Sequence, residues 1–142
     1  MNGVLAVAAL LLIGAGAVKA VGASAWKVKL PAVCEVGLGA AALIRGGSLV
    51  AAAVAAAYLA FAVWVVIALA RKHQTCNCFG EADTPPTLLH VVIDLVLSAG
   101  AGVAATTGPA TVTFLQGGLA AVAAWLCYLC ITALPRTLAA TR

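Results

Sequence analysis

Charge is what this chain has least of. Of its 142 residues only 8% are Asp, Glu, Lys or Arg, whereas 65% are hydrophobic, and the mean hydropathy is +1.15. A soluble domain carries about three times that share of charge, so lipid must solvate most of this surface. The net charge is only +4, and no basic stripe with interleaved aromatics is present, which argues against nucleic-acid binding. No Lys or Arg precedes Lys19. Ala15-Gly16-Ala17 looks like a signal-peptide cleavage site, but the charged start of such a peptide is missing, so the first segment reads as a retained helix. There is no internal repeat, and the length leaves room for one domain, residues 1–142.

What is present is a series of five hydrophobic segments, about 4–21, 31–44, 48–70, 88–105 and 111–134. Open strands cannot satisfy their backbone in lipid, so the fold class is all-α: a polytopic bundle of four to five transmembrane helices. The segment from Pro31 to Ile44 is short, about 21 Å as a helix against a hydrocarbon core of about 30 Å, so it either crosses by local thinning or re-enters. Trp26-Lys27-Val28-Lys29 before it suits the headgroup layer. Thr106-Thr107-Gly108-Pro109 reads as a turn, and Pro135 as the end of the last span. Ala and Gly dominate the segments, as helices that approach closely require.

The long polar interruption, residues 71–87, contains Cys76-Asn77-Cys78-Phe79-Gly80. Five crossings place it on the side of the membrane opposite the amino terminus. Cys34, Glu35, Lys19, His90, Asp94, Cys127 and Cys130 then fall toward the same side. Polar groups are costly in hydrocarbon, so a cluster of them marks a candidate site.

Residues i and i+2 in a turn can approach to disulfide distance in a tight, easily exchanged ring. Arg71, Lys72 and His73 would stabilise a thiolate at Cys76 or Cys78. The alternatives are a pair of free surface thiols, or a soft-metal site in which His73, Cys76 and Cys78 supply three ligands. Cys127 and Cys130 share a helix face, either as a second redox relay or as small buried hydrophobes; Cys34 is a further relay candidate. Lys19 and Glu35 are candidates for an ion pair inside the bundle. His90 and Asp94, four residues apart, face one way and could pass a proton or hold a quinone head group, or simply make a structural hydrogen bond.

These features resemble the MauE/DoxX group of small bacterial membrane proteins, and most nearly its MauE branch, associated with methylamine utilisation. The resemblance rests on Lys19 closing the first helix, Pro31 and Glu35 opening the second, and Cys76-Asn77-Cys78-Phe79-Gly80 after the third, over about residues 4 to 105. It implies a multi-pass protein of the bacterial cell membrane that works with a thioredoxin-like partner in maturing disulfide-containing exported proteins; methylamine metabolism itself is not implied. A non-enzymatic accessory subunit of a larger membrane complex is the alternative. Orientation pulls both ways: six of the basic residues sit on the loop side against Arg45 on the other, which by the positive-inside rule makes the loop side cytoplasmic, whereas disulfide formation places it outside.

Overall fold

The computed structural model describes residues 3–22, 26–72, 85–108 and 114–140. Five helices account for most of them: α1 (Gly3–Gly22), α2 (Trp26–Ile44), α3 (Ser48–Ala70), α4 (Leu88–Thr107) and α5 (Phe114–Ala140). Four contain stretches long and apolar enough to cross a membrane: Gly3–Gly22, Ser48–Ala70, Leu88–Thr107 and Gln116–Ala133. This is an all-α membrane protein.

α1 is the central helix and touches the other four. Leu5, Ala8, Ala9, Leu11 and Leu12 are buried around it, as expected of a helix apolar on every side. α1 and α2 form one antiparallel hairpin, α3 and α4 another. In the first, the backbones meet at two glycines. A Cβ on Gly16 would stand 2.6 Å from the Ala32 carbonyl oxygen, and one on Gly39 2.6 Å from that of Ala9. These two contacts fix the register: Gly16 near the end of α1 lies against the first half of α2, and Ala9 lies against its second half. α2 therefore runs back along α1 past its middle, as a crossing helix would. In the second hairpin, Ser98 Oγ donates to the Ala55 carbonyl at 2.8 Å.

α5 runs parallel to α1, because its first turns face Gly3, Val4 and Val7 while Trp125 and Tyr128 face Gly14, Ala15 and Val18. It barely meets α4, and two apolar grooves of about 400 and 460 Å³ flank it.

Three helix ends differ from the sequence reading, each for a backbone reason. The apolar run from Pro31 is only the later part of α2, which begins at Trp26 with Pro31 inside. Proline in the second turn removes a single hydrogen bond, and continuing upstream satisfies amides that would otherwise face the bilayer. α4 takes in Thr106 and Thr107, whose hydroxyls both donate back to the Val103 carbonyl, at 2.9 and 3.0 Å; the helix stops at Gly108, where φ is 79°. α5 likewise continues through Pro135 to Ala140. Between α2 and α3 the chain reverses on Gly46 and Gly47, with φ of 58° and 93°.

Candidate functional site

Antiparallel pairing brings the end of α1, the start of α2, the end of α3 and the start of α4 to one end of the bundle. The cysteine loop leaves α3 and rejoins α4 at this end. His73, Cys76 and Cys78 themselves lie outside the described residues, so the loop's redox and metal readings have no geometry here. Among the described residues, no three His, Cys, Asp or Glu side chains converge as a metal site.

Below the loop the interior is polar. Lys19 Nζ donates to both oxygens of Glu35, at 2.7 and 2.9 Å, and each side chain is only 11% exposed. The ammonium also lies 5.5 Å from the centre of the Phe61 ring, a cation–π contact. Phe61 stands edge-on to Tyr58 at 5.8 Å, and Tyr58 Oη donates to the Ala8 carbonyl at 2.7 Å. One helix, α4, supplies the remaining members. His90 is 3% exposed and its Nδ1 lies 2.8 Å from Thr87 Oγ1, the hydroxyl of the helix N-cap residue. Asp94, one turn deeper, is 8% exposed.

His90, Asp94 and Tyr58 line one cavity of about 20 Å³, closed by Leu11, Leu12 and Phe61. That space suits one water molecule and not a quinone ring. The i, i+4 spacing of His90 and Asp94 therefore brings both to one small, mostly apolar chamber, with no direct hydrogen bond between the two side chains.

The three described cysteines are free, and Cys34 does not meet the other two. Cys34 is exposed on α2, whereas Cys127 and Cys130 are on α5, and α1 stands between these helices, which make no contact with each other. Cys127 is half-buried beside Val7 and Leu97; Cys130 is exposed.

Sequence reasoning missed Tyr58, Phe61 and Thr87. Tyr58 had a signal: apart from Ser48 at its first position, α3 has no other hydroxyl, and such a group in mid-helix must find a partner. Thr87 had one as well, a threonine directly before an apolar run and three residues ahead of His90, whereas Phe61 had none, since Lys19 is brought to it by another segment.

A family model described as methylamine utilisation protein MauE matches residues 16–107, from the last turns of α1 to the end of α4. The chain belongs to this family. No curated protein and no solved structure matches it.

Proposed function

We propose that this chain is a thiol–disulfide redox protein of the bacterial cell membrane, acting through Cys76 and Cys78. In this reading a thioredoxin-like partner presents a dithiol. One partner thiolate attacks the Cys76–Cys78 disulfide to form a mixed disulfide, and the second resolves it. The partner leaves oxidised, able to mature exported proteins, and the loop is left as a dithiol holding two electrons and two protons. A quinone from the lipid phase is the acceptor class that takes both. In this reading Cys34, on a helix that does not touch α5, would act singly or on a second partner, while Cys127 and Cys130, one turn apart on α5, would act together.

The observation that supports this reading is the distribution of interior polarity. The buried polar side chains among the described residues are Glu35, His90, Asp94 and Thr132. They lie from mid-depth toward the end that bears the cysteine loop, and none lies in the opposite half. The test is the Cys76→Ser, Cys78→Ser double variant in cells, with thiol labelling from each side of intact vesicles. Loss of partner oxidation, with the protein still inserted, is expected.

A second reading is a non-enzymatic accessory subunit, in keeping with the methylamine-utilisation description of the family. The two apolar grooves beside α5 favour it, since a partner's helix would fill either. Full activity of the double cysteine variant would select this reading over the first.

A further inference from the structure

Asp94 is the one interior carboxyl without a cation among the described residues. The other, Glu35, is answered by Lys19 through two hydrogen bonds. Asp94 is more than nine-tenths buried, receives no hydrogen bond from any described residue, and borders a chamber with room for one water. A bare carboxylate is costly in hydrocarbon. Two states of low cost remain, the acid carrying its proton and the anion solvated by water, and both make use of that chamber.

The groups facing it are already committed. From α3, the Tyr58 hydroxyl donates its hydrogen bond to the Ala8 carbonyl. From α1, Lys19 is held by Glu35 of α2 and by the Phe61 ring. From α5, Cys127 lines a separate groove. From α4 itself, His90 is the exception. Its Nδ1 meets Thr87 at 2.8 Å, while Nε2 has no partner among the described residues, and His90 lines the same chamber as Asp94. Thr87 is half-buried and ends the polar loop.

We propose that Asp94, one water and His90 form a proton path that opens to the membrane surface at Thr87. In the outward direction Asp94 gives its proton to the water, the water passes one to Nε2, Nδ1 releases one to Thr87 Oγ1, and the hydroxyl releases its own to solvent. Asp94 loses one proton and is left as the carboxylate solvated by the water, while the water, the imidazole and the hydroxyl each gain one and lose one. Inward transfer uses the same bonds in reverse, which also returns the imidazole to its first tautomer. The path rests on this geometry alone and stands or falls independently of the cysteine loop.

The chain contains two aspartates, Asp83 and Asp94, so Asp83→Asn leaves one that isotopic labelling can isolate. The experiment follows the infrared carbonyl band of the labelled Asp94 in the full chain, reconstituted in lipid, across the accessible pH range and on transfer to D2O. A protonated-carboxyl band that exchanges its proton with bulk is expected. Exchange should slow by about a hundredfold in His90→Gln, the low end of what a positioned proton-transfer group contributes. Thr87→Val removes only a hydroxyl at the bundle edge and should slow it in the same sense. Absence of the band at every pH, or equal exchange rates in the parent and in both helical, inserted variants, would overturn the path.

Discussion

Lys19 and Glu35 offer the most direct quantitative test of this fold. The perturbation is a cycle of Lys19→Met, Glu35→Met and the double variant. Both side chains are 11% exposed and the ammonium bonds both carboxylate oxygens, so the pair sits near the buried limit and not among exposed pairs worth about 0–1 kcal/mol. Removing one partner from a buried pair costs about 3–5 kcal/mol, because a charge is stranded. The residual exposure, and the freedom of a lysine to reach toward the surface, place each single variant lower, at about 2–3 kcal/mol. Lys19→Met should be the worse of the two, since it also removes the contact with Phe61, worth about 1 kcal/mol. The double variant strands nothing and should cost about 1 kcal/mol, which makes the coupling about 3–5 kcal/mol. Unfolding in mixed micelles, followed by helical circular dichroism, measures all four corners. If the double variant loses as much as the two singles together, the charges do not depend on each other and the reasoning fails.

The same assay tests the α1–α2 contact: Gly16→Ala and Gly39→Ala should each cost about 1–3 kcal/mol by forcing backbones apart, whereas Gly14→Ala and Gly37→Ala, where an added Cβ meets nothing within 4 Å, should be neutral or stabilising by up to about 1 kcal/mol. Tyr58→Phe should cost about 1 kcal/mol, since the Ala8 carbonyl it leaves keeps its place in the helix ladder. A membrane-permeant maleimide should modify Cys34 and Cys130, both exposed, faster than the half-buried Cys127, as mass spectrometry of the labelled protein would report.

How far these features could be read in advance depended on whether their cause was local. α3 has the bounds the sequence suggests because both ends are marked locally, by Gly46-Gly47 on one side and the Arg71-Lys72 pair on the other. Lys19 and Glu35 stand out because charges inside apolar runs need partners, and in the fold they lie 2.7 Å apart. Pro31 and Pro135 misled for one reason: proline is read as a helix boundary, yet in lipid an interrupted helix is worse than one missing hydrogen bond. The Tyr58 bond to Ala8 and the Ser98 bond to Ala55 span 50 and 43 residues, and no periodicity within a segment announces them. The chamber shared by His90 and Asp94 was half visible, as a common face, but its size depends on Leu11, Leu12 and Phe61 from other helices.

The two halves of the bundle are built for different tasks, and this bears on how the molecule can work. Away from the loop, Leu5, Ala8, Ala42, Ala51, Ala101 and Ala104 pack into one dry cluster, and Gly100 lies so close to Val4 that no Cβ would fit between them. Such packing leaves little room for water, and these six side chains carry no group able to relay a proton. Toward the loop, hydroxyl, imidazole and carboxyl follow one another from Thr87 through His90 to Asp94 at mid-depth, with the Lys19–Glu35 pair alongside. Among the described residues this column ends at Asp94, so a proton on the proposed path leaves toward Thr87. In the proposed reading this column serves exchange at the membrane face that bears the loop. Disulfide exchange fits that constraint, because each thiolate that forms releases a proton and each that leaves takes one up at the same surface.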